Sequence, residues 1–216
     1  MSKREHLLIL PIAVILAFLM QGCANNISVK RDSVIFRERA EKLPLSVGLF
    51  LSDKAQNYSI SGEISSDTIN FQIGKALESS ATESLKKAFR AVSVIHEKTI
   101  IEPGIERIIT LEFGPSSKFT YGGATLSEHT ATVELICEVY DNKWTLLWKT
   151  TAHGAITRTT REAGVAFVII GMLGESVQLK ALGSIVNESL ASALESLNDQ
   201  ILISGKDAIL GNYKPH

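Results

Sequence analysis

Apolar positions follow two different periods along this chain, and the two periods predict its elements. Alternation with a period of two predicts strands over residues 45–51, 91–95, 105–113, 130–140 and 144–160. Spacing of three or four residues predicts a first helix that begins at Asp67 or Thr68, and a last helix over residues 176–203. Residues 52–66, between the first strand and the first helix, are rich in Ser, Asn, Asp and Gly and indicate a loop.

The order of these elements is β-α-β-β-β-β-α, and it predicts the fold class. Two amphipathic helices on one face of a mostly antiparallel sheet form a two-layer α+β sandwich. The last helix has a continuous apolar stripe that includes Leu179, Val186, Leu190 and Leu197, and Gly205 is placed to end it.

A third pattern, an unbroken apolar run, opens the chain. The run comprises the 14 residues from Leu7 to Met20, follows Lys3 and Arg4, and contains Pro11. A helix that crosses a bilayer needs about 20 apolar residues, so the run is short for a transmembrane anchor. Its length and basic start are typical of the apolar region of a cleaved secretory signal peptide.

From Met20, the last residue of the run, through Gln21 and Gly22 to Cys23, the sequence resembles the lipobox of bacterial lipoproteins. The resemblance implies cleavage before Cys23 and a diacylglycerol thioether on its sulfur, and two or more acyl chains anchor a protein stably. Ala24 follows in place of the Asp that commonly signals inner-membrane retention, which implies the outer membrane in a Gram-negative cell. The competing interpretation, an ordinary signal peptide with an incidental cysteine, fits the position of Cys23 less well.

These boundaries divide the chain into four parts. We predict a lipoprotein signal peptide over 1–22, a lipidated tether over 23–42, a periplasmic α+β domain over 43–205 and a flexible tail over 206–216. The tether is inferred from its polar and charged composition. Within it, Val34, Ile35 and Phe36 allow two interpretations, a short strand or a contact with a partner.

Residues 164–174 form an uncharged apolar stretch between the last strand and the last helix. Three interpretations stay open: a buried part of the core, an exposed loop that contacts a partner or a neighbouring subunit, or a segment that dips into the membrane surface. Contiguous exposed apolar surface usually marks an interaction site. The candidate interaction residues are Val165, Phe167, Val168, Ile169, Ile170, Met172 and Leu173.

Composition and charge exclude some partners. The 216 residues include 22 Lys and Arg against 23 Asp and Glu, and without residues 1–22 the balance is 20 against 22. This balance shows no basic excess of the kind that nucleic-acid binding requires. Cys137 has no second cysteine to pair with once Cys23 is acylated, and its alternating strand predicts a buried apolar role rather than a reactive thiol.

The sequence contains no motif that identifies a reaction. The patterns G-x-S-x-G, H-E-x-x-H and G-x-x-x-x-G-K-[ST] are all missing. His96, His129 and His153 have no second His or Cys at metal-ligand spacing, so we expect surface or hydrogen-bonded polar groups. Glu134 and Glu138 share a strand face, where a solvated surface explains them better than a general acid/base pair. We therefore expect no enzyme activity, no metal and no cofactor beyond the covalent lipid.

The layout over residues 43–203 resembles small envelope lipoproteins of the YajG type and the PqiC- and LptE-like auxiliary lipoproteins of ABC transporters. The shared features are the lipobox, the opening strand, a helix that starts near Ile73 to Leu77, a meander and an Ala/Leu-rich last helix. A more distant similarity is to ring-forming secretion lipoproteins related to CsgG. None of these families implies a catalytic residue.

With the lipobox, this resemblance implies a lipid-anchored, non-enzymatic outer-membrane lipoprotein that is an accessory or structural component of envelope transport or assembly. Its partners would be the membrane, through the acyl chains, and an envelope protein or further copies of itself. The alternative is a homo-oligomeric ring or secretion-pore component, with residues 164–174 at subunit or membrane contacts. A carrier of a small apolar ligand is a further alternative.

Overall fold

The computed structural model describes residues 25–29, 35–64, 67–98, 102–122, 128–159 and 175–211. The predicted signal peptide, Cys23 and the segment 164–174 lie outside these residues. The strands are β1 (Asn25–Ser28), β2 (Leu43–Phe50), β3 (Ile60–Ile64), β4 (Asp67–Gln72), β5 (Phe89–Ile95), β6 (Arg107–Phe113), β7 (Lys118–Thr120), β8 (Glu128–Asp141) and β9 (Leu146–Thr159). The helices are α1 (Asp53–Gln56), α2 (Gly74–Leu85), α3 (Glu175–Ile203) and α4 (Lys206–Leu210).

Six strands form the large sheet. β2 pairs in parallel with β5 on one side and with β6 on the other. β6 and β7 pair antiparallel with successive parts of β8, and the other edge of β8 pairs antiparallel with β9. The parallel pairing of β2 with β5 follows from the chain path, because a crossover that includes α2 joins the two strands.

A small sheet of three strands has the order β1-β4-β3. β1 pairs in parallel with β4, and β3 and β4 form an antiparallel hairpin. Phe71 of β4 is fully buried, and its ring lies 4.8 Å from that of Phe119 in β7, measured between centroids. This aromatic contact joins the small sheet to the large one.

The predicted start of the first helix is wrong, and so is part of the predicted loop 52–66. Residues 67–72 form β4, α2 begins only at Gly74, and the loop contains α1 and β3. Ile69, Phe71 and Ile73 are all buried at the spacing of a strand, while Ile73 and Leu77 also fit the spacing of a helix. The two periods overlap at Ile73, which is why the sequence pattern extended the helix too far toward its start.

Helices α2 and α3 pack together on one face of the large sheet and cover the main core. Asn198 Nδ2 of α3 donates hydrogen bonds of 2.9 Å to the carbonyl and hydroxyl oxygens of Ser84 in α2. The predicted two-layer α+β sandwich is confirmed, and α3 matches the predicted last helix to within one residue. None of the helices that the structure describes is long and apolar enough to cross a membrane. The core side chains include Leu49, Leu77, Leu85, Leu111, Val133, Leu135, Val139, Leu190, Leu194 and Leu197.

Parts of the predicted tether and tail are folded. Phe36 is 2% exposed and belongs to the main core, whereas its neighbour Ile35 is 92% exposed. Residues 206–210 form α4, in which Ile209 is fully buried. Arg107 of β6 donates hydrogen bonds from Nε and Nη2 to the carbonyl oxygens of Ile209 and Leu210, at 2.7 and 3.0 Å. These contacts hold part of the predicted tether and part of the predicted tail against the domain.

Candidate functional site

The large sheet has a second face, turned away from α2 and α3, and this open face carries a pocket. Neighbouring residues of a strand point to opposite faces, so the neighbours of the core residues lie here. The pocket has a volume of about 520 Å³ and is lined by Phe50, Ser52, Lys98, Thr110, Glu112, Glu138, Tyr140 and Trp144. The three aromatic side chains of this lining also pack against a small buried cluster formed by Ile95, Ile105 and Ile108.

Trp144 has an unusual backbone conformation. It lies in the turn between β8 and β9 with φ of 63°, a region that bulky residues rarely adopt. Asp141 holds the turn, because its Oδ1 accepts hydrogen bonds of 2.8 Å from the backbone N–H groups of Lys143 and Thr145. The bond from Thr145 is the main reason why the pKa of Asp141 is lowered. Glycine usually fills this position of a hairpin loop, so the strained tryptophan indicates a role for its side chain.

An ammonium group lies between the aromatic rings at the rim of this pocket. The Trp144 ring stands edge-on to Phe50 at 6.0 Å and is tilted against Tyr140 at 5.5 Å, both between centroids. Lys98 Nζ lies 5.1 Å from the centroid of the Phe50 ring and 5.3 Å from that of Trp144. These distances are within the range of cation–π attraction. The Trp144 Nε1–H donates to the carbonyl oxygen of Lys98 at 3.3 Å, which ties the ring to the loop.

Glu138 is a carboxylate that the pocket keeps ionised. Lys149 Nζ donates to its Oε1 at 2.8 Å, and the Tyr140 hydroxyl donates to its Oε2. These two hydrogen bonds, that from Lys149 first, hold the pKa of Glu138 below its ordinary value of 4.5. The bond to Glu138 in turn raises the pKa of Tyr140 to about 12. At neutral pH this pair is therefore a carboxylate and a neutral phenol.

Glu112 is the second carboxylate of the pocket. The Ser52 hydroxyl donates to its Oε1, while its Oε2 is buried without a hydrogen-bond partner among the described residues. A buried acceptor without a donor has lost its hydrogen bonds to water and gained nothing in return. A ligand that donates a hydrogen bond here would remove that penalty. Within the described ranges no three His, Cys, Asp or Glu side chains are grouped to hold a metal ion.

A separate cluster of charges, the Arg39 clamp, joins the N-terminal segment to α3. Arg39 donates from Nη1 to Asp199 Oδ1 and from Nη2 to Glu195 Oε2, both at 2.5 Å. Its side chain is 7% exposed, whereas those of Glu195 and Asp199 are 28% and 44% exposed. Arg37 adds a 3.0 Å ion pair to Asp199. The clamp therefore fixes this part of the predicted tether to the domain.

The structure tests only part of the predicted site. Cys23 and the candidate interaction residues Val165, Phe167, Val168, Ile169, Ile170, Met172 and Leu173 lie outside the described residues, and they stay predictions. Cys137 is a free, fully buried cysteine whose thiol pKa is raised by burial, which confirms its predicted core role.

Of the polar residues that the sequence drew attention to, only Glu138 reaches the pocket. Glu134 lies on the same strand face but accepts a hydrogen bond of 2.8 Å from the Ser116 backbone N–H. His129 is fully buried, its ring stacks on Tyr121 at 4.7 Å, and burial lowers its pKa. The predicted strand 144–160 begins too early, because β9 starts only at Leu146 and Trp144 lies in the turn before it. The sequence pattern did not locate the pocket, and the signal that could have done so is a tryptophan directly after Asp141, Asn142 and Lys143.

No protein family matches the sequence, and no curated protein matches it either. Among solved structures, the chain is similar to a proposed lipoprotein from Caulobacter crescentus CB15, with 8% identity, a TM-score of 0.46, and coverage of 79% of this chain and 93% of that one. It is also similar to a minor lipoprotein from Acinetobacter baumannii, with 11% identity, a TM-score of 0.43, and coverage of 76% and 96%. A third similar structure is a proposed homologue of neuraminyllactose-binding hemagglutinin from Helicobacter pylori, with 7% identity, a TM-score of 0.46, and coverage of 81% and 94%.

Proposed function

We propose that this chain is a lipid-anchored, non-enzymatic outer-membrane lipoprotein that acts as an accessory or structural component of an envelope transport or assembly system. The basic start, the apolar run and the lipobox ending at Cys23 support the anchor. The mechanism is positional: the acyl chains hold the domain at the membrane, and its surface engages an envelope partner.

The observation that carries this proposal is the start of β1. The strand begins at Asn25, two residues after Cys23. An extended chain spans about 3.5 Å per residue, so acyl chains on Cys23 would lie within about 7 Å of folded protein. The Arg39 clamp fastens a later part of the predicted tether to α3 as well. A domain held this close to the bilayer suits a component with a fixed place in an assembly.

The apolar segment 164–174 remains our candidate for the contact with a partner. Helix α3 begins at Glu175 and reaches Gly183 eight residues later, which is about 12 Å of helix. At Gly183 it faces β1, because a Cβ there would lie 3.8 Å from Ile27 Cγ2. Both Cys23 and the segment 164–174 are therefore only a few residues along the chain from the contact between Ile27 and Gly183. This supports a partner that is itself in or at the membrane.

Crosslinking in living cells that carry a tagged copy, then purification in detergent and mass spectrometry, tests the proposal. We expect lipid on Cys23 and a stoichiometric envelope protein, and we expect Val168→Asp with Ile170→Asp to weaken its capture while leaving the fold intact. An unmodified Cys23 would refute the anchor. Unfolding of the double variant by circular dichroism would refute the contact surface. A ladder of self-crosslinks without another protein would favour the ring instead.

A further inference from the structure

We propose that the pocket on the open face of the large sheet binds a small organic molecule with a primary ammonium group. The ligand's ammonium displaces Lys98 Nζ from the rings of Phe50 and Trp144 and enters the pocket far enough to reach Glu112 Oε2. The proposal concerns only described residues and does not depend on the lipid anchor or on the segment 164–174.

The position of Lys98 supports this choice of ligand. Its Nζ lies 5.1 and 5.3 Å from the two ring centroids, where the negative faces of aromatic rings attract a cation. Lys98 is exposed and lies beyond the end of β5. Its long flexible side chain can therefore leave the rings without any change in the sheet. The ammonium of the protein itself thus shows which group the aromatic rim accepts.

The two carboxylates provide the matching charge and acceptors. Glu138 is ionised at neutral pH, and Glu112 Oε2 is buried without a partner among the described residues. A primary ammonium has three N–H donors and a full positive charge, so it can donate to Glu112 Oε2 and is attracted by the charge of Glu138. An anion would meet the carboxylates with the wrong sign, and an apolar ligand would leave Glu112 Oε2 without a donor.

The strained turn indicates that the aromatic rim is a built feature. Trp144 keeps φ of 63° although glycine would adopt this conformation without strain. Asp141 supports the conformation with two hydrogen bonds to the backbone on either side of Trp144. Residues held in such conformations cluster at ligand clamps and active sites. The strain is explained if the ring must stand at the edge of the pocket.

Calorimetric titration of the purified full-length protein in detergent, at low ionic strength, tests the proposal. The probe is n-butylammonium chloride, and n-butanol is the neutral probe of nearly the same shape. We expect the cation to bind with a Kd on the order of 1 mM, and n-butanol to give no signal. Equal binding of both probes, or no binding of the cation up to about ten times this concentration, would overturn the proposal.

Lys98→Ala is the variant that separates this ligand class from others. Because Lys98 competes for the same aromatic rings, its removal should tighten binding of the cation about two- to fivefold. Glu112→Gln, which is isosteric, and Trp144→Gly should weaken it about tenfold. Lys118→Ala in β7 removes the same charge away from the pocket lining and should change nothing.

Lys98→Ala is expected to tighten binding of the cation, whereas Glu112→Gln and Trp144→Gly are expected to weaken it, so each variant tests the proposal separately. Weaker binding in Lys98→Ala would mean that Lys98 itself contacts the ligand, which contradicts the proposal. If Trp144→Gly loses its fold by circular dichroism, Lys98→Ala and Glu112→Gln still decide, since neither removes a core side chain. Unchanged binding in Glu112→Gln would show that the unpartnered carboxylate oxygen has no part in recognition.

Discussion

The contact between α3 and β9 depends on Gly154, and Gly154→Ala should destabilise the domain strongly. A Cβ on Gly154 would overlap the backbone carbonyl oxygen of Ser189 and the backbone nitrogen of Ala193, and would lie 3.0 Å from the Ala193 Cα. All three are backbone atoms of a helix, so no side chain can move aside. The helix itself would have to shift away from the strand.

The size of the effect follows from two contributions. Forcing an extra methyl group into a closely packed site costs about 1–3 kcal/mol. The shift would also break the contacts of Ser189 Oγ, which lies 2.8 Å from the Gly154 carbonyl oxygen and 3.1 Å from that of Ala131. A lost hydrogen bond adds about 1 kcal/mol. We therefore expect Gly154→Ala to lower the free energy of unfolding by about 2–4 kcal/mol, and the Tm by roughly 5–15 °C.

Urea unfolding followed by circular dichroism measures the effect, and Gly183→Ala is the matched control. Gly183 lies in the same helix, but a Cβ there meets only Ile27 Cγ2 at 3.8 Å, an ordinary contact. Helix propensity then predicts that Gly183→Ala stabilises the domain by about 0.5–1 kcal/mol. If Gly154→Ala changed stability by less than about 0.5 kcal/mol, the range expected for surface sites, the close seating of α3 on β9 would be refuted.

Two further predictions concern charged groups. Arg39→Met should lower the free energy of unfolding by about 1–3 kcal/mol in urea titrations, because it removes the charged partner of Glu195 Oε2. The range is at the low end because Glu195 is partly exposed and its Oε1 still accepts from the Arg37 backbone N–H. If Arg39→Met were as stable as the unmodified protein, the Arg39 clamp would not stabilise the domain. The pKa of Glu138 is lowered in the folded state, so its stabilisation is present above its ordinary pKa of 4.5 and is lost as the pH falls through the folded value. The Tm of Glu138→Gln should therefore fall less between pH 7 and pH 3 than the Tm of the unmodified protein. Lys149→Met should have the same effect, because Lys149 is the main cause of the lowered pKa of Glu138.

The sequence pattern was sufficient for elements whose environment is uniform along their length. β8 alternates between buried and half-buried residues from His129 to Val139, so the sequence pattern showed a period of two. α3 likewise buries one continuous stripe. The pattern failed at β4, where Ile73 belongs to both periods, and at β1 and Phe36, which occur in a polar segment. A short strand in polar surroundings is stabilised by its partners β4 and α3, and no local pattern reports them.

The pocket could not be predicted because its residues converge from distant parts of the chain. Phe50 ends β2, Lys98 follows β5, and Glu112 and Glu138 become neighbours only through the pairing of β6 with β8. The antiparallel order of β6, β8 and β9 agrees with the predicted sheet. The parallel pairing of β2 with β5 and β6 is a property of the whole topology that no local pattern reports. Trp144 was visible as a residue, but its strain is a matter of backbone geometry.

The direction of α3 relates the proposed anchor to the pocket. Near its start, Gly183 faces Ile27 of β1, close in sequence to Cys23. Beyond its end, a Cβ on Gly205 would lie 2.9 Å from the ring of Trp148, which follows the turn that carries Trp144. The helix between these two contacts, from residue 183 to residue 203, spans about 30 Å. If Cys23 is lipidated as proposed, its acyl chains attach to a residue close in sequence to the first of these contacts, whereas the turn that carries Trp144 is close in sequence to the second.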